Sequence, residues 1–157
     1  MFRFLAALVM FGHCALANAQ WQQDTFTDKM RGAENKTAAL QSNNFVQLAF
    51  PYAGGSSLSI WLRDFPKQFG KDAMLVLSKG QIVCPIRDCT IEMKFDDGPI
   101  VRFAAQQAQS RSDTVFISDY HRFVQMLLKS RALTIEIYAW KNGLSQFEFD
   151  TAGLVWK

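Results

Sequence analysis

Hydrophobic and polar side chains alternate along several short stretches of the chain, most clearly over residues 90–103. A period of two is typical of a β-strand with one buried face and one solvent-facing face. Asp97-Gly98 interrupts the alternation, and because glycine adopts a positive φ at no steric cost, this pair predicts a hairpin turn. We therefore expect a β-hairpin here and more strands of the same sheet on either side.

The same alternation predicts further strands before and after this hairpin. They lie near residues 21–28, 34–40, 45–50, 58–62, 73–78, 81–84, 114–117, 133–137 and 147–149. Turn signals such as Ser42-Asn43-Asn44 and Asn142-Gly143 separate some of them. Residues 64–72 and 106–113 are predicted as loops.

Residues 118–130 carry the one convincing helical pattern. Ser118 is the predicted cap of the first turn, and Asp119 suits the positive end of the helix dipole. The apolar side chains fall at helical spacing, at Tyr120, Phe123, Val124, Leu127 and Leu128. About ten short strands and one late helix predict a mainly β fold, with α+β as the alternative. We expect an antiparallel β-sandwich whose helix covers an edge or an open end.

The first nineteen residues have the pattern of an export signal. Arg3 precedes an almost wholly apolar run over residues 4–16, and small residues follow at alternate positions up to Ala19. This run is too short to span a bilayer comfortably, which favours a cleaved Sec-type signal peptide over a membrane anchor. We predict cleavage after Ala19, a periplasmic protein, and one domain over residues 20–157 with no stable membrane insertion.

The charge balance argues against nucleic acid as a partner. The chain has 17 Lys and Arg against 14 Asp and Glu, and Arg3 is the only one of these within the first nineteen residues. The remaining charges are interspersed and form no basic stripe, so they offer no electrostatic footprint for a phosphate backbone.

Two cysteines remain after the predicted cleavage, Cys84 and Cys89, in the segment CPIRDC. An even number of cysteines in an exported chain predicts a disulfide bond. A redox pair is the alternative, but thioredoxin-like pairs have two intervening residues rather than four. Metal binding has less support still, because residues 20–157 contain a single histidine. We expect a structural disulfide that holds a turn.

Three other features have residue types that occur in sites of chemistry. His121 lies off the apolar face of the predicted helix and has no evident nucleophile or orienting partner, so we predict a surface histidine. Asp96-Asp97 offers too few spaced oxygen ligands to bind calcium, so we predict that these residues form part of a hairpin turn. Residues 54–57, GGSS, lack the lysine and helix of a phosphate loop. We therefore predict no catalytic, cofactor-binding or metal site.

Trp61 is the aromatic side chain that the pattern sets apart. It alternates with the apolar positions Leu58, Ile60 and Leu62, so it is predicted to point away from the main core. An outward tryptophan is a candidate contact residue for a partner. The alternative is that it lies beneath the loop that carries Phe65 and Phe69.

Several short motifs occur in an order that resembles a known group of exported proteins. They are a leading Trp21 with Asp28-Lys29-Met30, then Phe95-Asp96-Asp97-Gly98-Pro99, a phenylalanine-containing helix, and a closing run over residues 147–154, FEFDTAGL. This order resembles the type VI secretion-associated TagO/VasI-like group. The resemblance implies a small periplasmic β-rich accessory domain without an established enzymatic activity. The loop at residues 64–72 and the CPIRDC segment depart from that pattern.

These observations favour a non-enzymatic periplasmic accessory or binding domain that contacts another envelope protein, and the resemblance implies that this partner belongs to a secretion system. The alternative is a secreted inhibitor or a small-ligand-binding domain, since a small disulfide-containing β-domain is a suitable rigid scaffold. An enzyme ranks third. A binding domain predicts an exposed apolar patch, and a ligand binder predicts an aromatic-lined pocket of roughly 300 Å³ or more.

Overall fold

A computed structural model describes residues 20–157, so the predicted signal peptide at residues 1–19 lies outside the described residues. The described chain forms eleven strands and one helix. The strands are β1 Gln22–Asp28, β2 Ala33–Gln41, β3 Val46–Leu48, β4 Gly54–Ser56, β5 Leu58–Phe65, β6 Gly70–Leu77, β7 Thr90–Phe95, β8 Ile100–Ala108, β9 Arg111–Ile117, β10 Ala132–Ala139 and β11 Gly143–Asp150; the helix α1 is Tyr120–Lys129.

Nine of the strands form one antiparallel sheet in the order β1-β2-β5-β6-β9-β8-β7-β10-β11. The strands β3 and β4 form a separate two-stranded ribbon. Most neighbours in the large sheet are hairpin partners, and the exceptions are the pairs β2-β5, β6-β9 and β7-β10. The prediction of a mainly β, antiparallel, sandwich-like fold is confirmed.

The inner face of the sheet supplies a single core. Alternate side chains of β5, β6, β10 and β11 are buried, as the period of two predicts, and they belong to one hydrophobic cluster. Several hydrogen bonds hold residues 21–44 against the last strand and the segment that follows it. Trp21 Nε1 donates to the Thr151 carbonyl at 3.1 Å, and the Asn43 N–H donates to the Glu148 carbonyl at 2.7 Å.

The helix α1 packs on this core through Phe123, Val124 and Leu127. The Phe123 ring meets Phe103 edge to face at 5.6 Å, so the helix lies on the inner side of the sheet. The predicted cap at Ser118 is wrong. Asp119 is the N-cap, and its carboxylate accepts the Arg122 N–H at 3.1 Å.

The apolar stripe of the helix is narrower than its sequence predicts. Leu128 was expected on the buried face, but it is 45% exposed. The buried face is supplied by three side chains that converge on one side, and Leu128 lies beyond the margin of that contact. The helix still ends as expected near a cation, with Lys129 in its last turn.

The two predicted loops are tight hairpins. Strands β5 and β6 pair without interruption from Leu58↔Leu77 to Phe65↔Gly70, and Gly70 has a φ of +75° that lets the chain leave the turn. Strands β8 and β9 continue to Ala108 and Arg111, with a register shift beside Gln107. Polar residues here face solvent from strands, which is why the pattern was mistaken for loops.

The predicted strand at residues 45–50 is also too long. Pairing covers only Val46–Leu48, and Phe50, which alternation would place on the same face as Val46 and Leu48, is 82% exposed. The chain turns at once through Pro51, which cannot donate to a ladder.

The central hairpin forms as expected, but its positive φ lies at Asp96, at +48°, rather than at Gly98. The Asp96 carboxylate is occupied by the next part of the sheet. Its Oδ1 accepts the N–H groups of Arg131 and Ala132, each at 2.9 Å, where β10 begins. Aspartate tolerates the left-handed conformation and supplies this acceptor, so the turn also fixes the start of β10.

No helix among residues 20–157 has the length and apolar character needed to cross a membrane.

Candidate functional site

Trp61 lies on the outer face of β5, as the sequence predicts. Its neighbours Ile60 and Leu62 point inward and are fully buried, whereas Trp61 is half-buried. It stands in register with Ala39 of β2 and Met74 of β6, whose side chains share its face. Phe65 is the last residue of β5 and pairs with Gly70, so the predicted loop that carries Phe65 and Phe69 is a tight turn.

The outer face around Trp61 is rich in aromatic side chains. We call the aromatic face the set Phe26, Trp61, Phe65, Phe69, Met74 and Phe116. Phe65 forms its centre: it meets the Phe26 ring edge to face at 5.8 Å and stacks on the Phe69 ring at 4.9 Å. Phe116 of β9 is in register with Met74, which places it next to Trp61's own neighbour. Strands β1, β5, β6 and β9 and the β5–β6 turn therefore contribute to this face.

Arg63 fixes the middle of the aromatic face. Its guanidinium lies 4.3 Å from the centroid of the Phe69 ring and 5.8 Å from those of Phe65 and Phe116. It also donates in parallel to both carboxylate oxygens of Asp72, at 2.8 and 2.6 Å. A planar cation stacked on rings and held by a bidentate carboxylate loses little freedom on binding, so the surface is pre-organised.

No second layer of the described chain covers this surface. The helix packs on the opposite, inner side of the sheet, and Phe26 and Phe69 remain 43% and 49% exposed. Single exposed apolar residues are ordinary in soluble proteins, but a contiguous group on one face is typical of an interaction site. The chemistry of the face is apolar contact, with one cation whose charge is already paired.

The predicted disulfide joins Cys84 and Cys89, with Cα atoms 5.1 Å apart. The ring lies between Ile82, which bridges to Ala139, and the start of β7. Inside the ring, Ile86 is fully exposed and Asp88 has a φ of +63°. The cross-link therefore presents one apolar side chain to solvent on a short closed loop.

His121 and the GGSS stretch make local contacts of the kind that stabilise the fold. His121 is exposed on α1, and its ring meets Tyr120 edge to face at 5.3 Å. Ser56 and Ser57 of the GGSS stretch are buried and bonded to the β6–β7 connection: Ser56 Oγ donates to the Lys79 carbonyl at 2.8 Å, and the Ser57 N–H to Ser78 Oγ at 2.9 Å. Within residues 20–157, no group of three or more His, Cys, Asp or Glu is placed to hold a metal ion.

Two carboxylates with a lowered pKa, those of Asp28 and Asp96, accept hydrogen bonds at turns of the sheet. Burial raises the pKa of Asp28, but hydrogen bonds from Arg31 and from the Met30 N–H outweigh it and hold the pKa below its usual range. Hydrogen bonds from the backbone N–H groups of Arg131 and Ala132 lower the pKa of Asp96. These groups stabilise local backbone and do not converge on a cleft.

The described surface also has open clefts. One of about 520 Å³ lies beside Arg131 and Glu148 and has a mixed polar and apolar lining, and another of about 440 Å³ lies between the disulfide ring and β8. Neither has the several aromatic side chains that a small-ligand pocket is expected to have.

Sequence reasoning identified Trp61 but missed its companions. The alternation on each strand could have indicated that Phe116 and Phe26 point outward. Their convergence depends on the strand order β1-β2-β5-β6-β9, which has no signal in the sequence.

Comparison with protein-family models, with curated proteins and with solved structures finds no match to this chain.

Proposed function

We propose that this protein is a non-enzymatic binding domain that contacts another protein of the cell envelope through its aromatic face. The observation that carries the proposal is the uncovered cluster of Phe26, Phe65 and Phe69 beside the outward Trp61. Aromatic side chains bury much area at a small cost in conformational entropy, and they dominate the energetics of protein interfaces. The paired Arg63 adds a rigid, partly desolvated centre.

The proposed location is the periplasm, and its support is the export pattern of residues 1–19. The order of motifs shared with the TagO/VasI-like group supports an accessory role, and association with a secretion assembly is part of the proposal. The aromatic face is independent of both arguments, because it follows from strand order and side-chain direction alone.

The experiment is affinity capture from the periplasmic fraction with the protein and three variants. Phe69→Ala removes an exposed ring, and Trp61→Phe keeps an aromatic group with less area. Tyr138→Ala is the matched control, because Tyr138 is exposed on a different strand, β10. We expect one envelope protein to be captured, its recovery to fall at least about tenfold with Phe69→Ala, and Tyr138→Ala to leave it unchanged, as is typical of a truncated contact residue. Equal recovery from all variants would contradict the proposal.

A secreted inhibitor is the second candidate function, and one observation favours it. Ile86 stands fully exposed on a loop closed by the Cys84–Cys89 disulfide, and a pre-organised loop binds with less loss of entropy. In that case Ile86→Ala, and not Phe69→Ala, would abolish binding in the same capture experiment.

A further inference from the structure

The two edge strands of the nine-stranded sheet, β11 and β1, differ in how far their outward backbone groups are hydrogen-bonded. One edge is β11, and the β2–β3 connection closes part of it. Asn44 Nδ2 donates to the Gln146 carbonyl at 3.0 Å, and its Oδ1 accepts the Glu148 N–H at 2.9 Å. The Asn43 N–H donates to the Glu148 carbonyl at 2.7 Å. A side-chain amide thus takes the place of a neighbouring strand.

The other edge, β1, is open in the described chain. Six consecutive residues, 22–27, are exposed, and no backbone-to-backbone hydrogen bond joins them to any described residue outside β2. The Val155 N–H donates to the side chain of Gln23 at 3.2 Å, which leaves the backbone groups of β1 without a backbone partner on that side within the described chain. The Thr25 N–H is directed to the side chain of Asp24, whose Oδ1 accepts it at 2.8 Å. Because backbone groups of an antiparallel strand alternate in direction, Gln23 and Thr27 present their N–H groups on the same side.

The edge has only part of the protection that normally prevents strand pairing. Natural edge strands carry charged residues, lysine above all, or a proline or a bulge. The β1 sequence, QQDTFTD, has two aspartates but no lysine or proline, and it pairs with β2 in an unbroken register from Gln22↔Ala39 to Asp28↔Ala33. A regular edge is therefore available to a further strand that brings positive charge to the aspartates.

The open edge adjoins the aromatic face. Phe26 projects from β1 onto the outer side and packs against Phe65. A strand added beside β1 would place every second side chain on the outer side, with one of them directly opposite Phe26. We infer that β1 receives an extended segment of the partner protein by strand addition, with a basic residue opposite Asp24 and an apolar residue opposite Phe26. This inference rests on the proposed contact function of the aromatic face.

Charge selects such a partner over a second copy of this chain. The strand β1 carries Asp24 and Asp28 with no basic residue, and β11 carries Glu148 and Asp150 with none. Pairing β1 with either strand of another copy would bring acidic strands together, which is unfavourable. Asp28 is already bonded to Arg31 at 3.1 Å and to Gln68 at 3.0 Å. Asp24 is exposed, and its carboxylate accepts the neighbouring Thr25 N–H at 2.8 Å. A strand that takes this N–H releases the carboxylate, which a Lys or Arg of the partner would then meet.

The spacing of these two side chains gives a motif. Asp24 and Phe26 lie two residues apart on one face, so their partners on an added strand also lie two residues apart. The recognised segment has a Lys or Arg, one intervening residue, and an apolar residue on the same face. Backbone hydrogen bonds supply affinity in this mode of recognition, and alternate side chains supply specificity.

The test uses the purified protein and two synthetic peptides. The first is Thr-Lys-Thr-Val-Thr-Lys-Thr, and the second has glutamate in place of both lysines. Amide hydrogen exchange is followed by NMR during titration. We expect the lysine peptide to slow exchange at Gln23, Thr25 and Thr27, and to bind about three- to fivefold more tightly than the glutamate peptide, the effect of an exposed ion pair.

Two substitutions at one position make the test specific. Thr25→Pro removes an outward N–H donor, and Thr25→Ala keeps it. We expect the lysine peptide to lose its effect on Thr25→Pro and to keep it on Thr25→Ala. Unchanged protection in Thr25→Pro, or protection outside β1, would overturn strand addition. Slow exchange of β1 without peptide would also overturn it, because a second copy or residues 1–19 would then occupy the edge. If one of these outcomes is seen and Phe69→Ala still loses partner capture, strand addition is wrong but the aromatic face remains the contact surface.

Discussion

Asn44 and Glu148 are 104 residues apart in sequence, yet the Asn44 Oδ1 accepts the Glu148 N–H at 2.9 Å. This bond and its companion to the Gln146 carbonyl connect the β2–β3 connection to the edge of β11. They hold the first part of the chain against the last strand and satisfy backbone groups that a sheet edge would otherwise leave free.

Asn44→Ala should therefore destabilise the fold although it removes no core contact. Two hydrogen bonds are lost, and we expect the free energy of unfolding to fall by about 1–2 kcal/mol. Denaturant titration measures this loss. Asn43→Ala is the matched control, because among the described hydrogen bonds Asn43 uses only its backbone N–H. Equal destabilisation by both variants would contradict this role of the Asn44 side chain.

Phe123 is the side chain that fixes the helix on the sheet. It is completely buried and meets Phe95 and Phe103 edge to face, at 6.4 and 5.6 Å. We expect Phe123→Ala to cost about 3–5 kcal/mol of unfolding free energy, since it leaves a cavity among rings. Leu128→Ala, on the exposed side of the same helix, should change it by less than about 0.5 kcal/mol. Thermal and denaturant unfolding compare the two variants, and similar losses would be inconsistent with the packing described.

The Cys84–Cys89 disulfide should contribute modestly to stability. The closed ring is short, and the entropy removed from the unfolded chain grows with ring length, so we expect Cys84→Ser with Cys89→Ser to cost about 2 kcal/mol. Ile86→Ala, inside the same ring, serves as the control and should leave stability unchanged because its side chain is fully exposed. Mass spectrometry of the oxidised protein checks the bond itself, and two free thiols would argue against it.

Asp96 links stability to pH. Its folded-state pKa is lowered by hydrogen bonds from the Arg131 and Ala132 N–H groups. A lowered folded pKa means that the stabilisation is present above the unfolded pKa of about 3.9 and is lost as pH falls through the folded value. Asp96→Asn, which keeps an acceptor and tolerates a positive φ, should weaken this acid dependence.

The measurement is the melting temperature from about pH 5 down to about pH 2, the range that brackets the titration of a carboxylate with a lowered pKa. Asp96→Ala should lower the melting temperature at pH 5 more than Asp96→Asn does. Asp97→Ala is the neighbouring control, because the Arg131 and Ala132 bonds are made by Asp96 alone. An unaltered acid dependence in Asp96→Asn would show that other carboxylates set it.

The sequence predicted the core better than the connections between strands. Leu58, Ile60 and Leu62 were identified because alternation marks a buried face directly. The hairpin turns at residues 66–69 and 109–110 were not identified, because polar and aromatic residues on solvent-facing strands have no strict alternation. Helix caps depend on local geometry, and the choice between Ser118 and Asp119 was not determined by residue type alone.

The candidate site was predicted only at its single outward tryptophan. The side of the sheet to which a side chain points follows from the alternation along its own strand, so Trp61 could be placed on the outer face from the β5 sequence alone. The stacking of Phe65 on Phe69 requires the tight β5–β6 turn, and the contact of Arg63 with Phe116 requires β6 to pair with β9. Both are long-range outcomes of the sheet order.

The central claim is that the aromatic face contacts an envelope protein, and site-specific photocross-linking in cells that naturally make this protein tests it most directly. A photoreactive phenylalanine analogue replaces Phe69 in one variant and Tyr138 in the other, since both side chains are about half exposed on different strands. We predict one discrete cross-linked envelope protein from position 69 and none from position 138. Absence of any adduct at position 69, or the same adducts from both positions, would contradict the account.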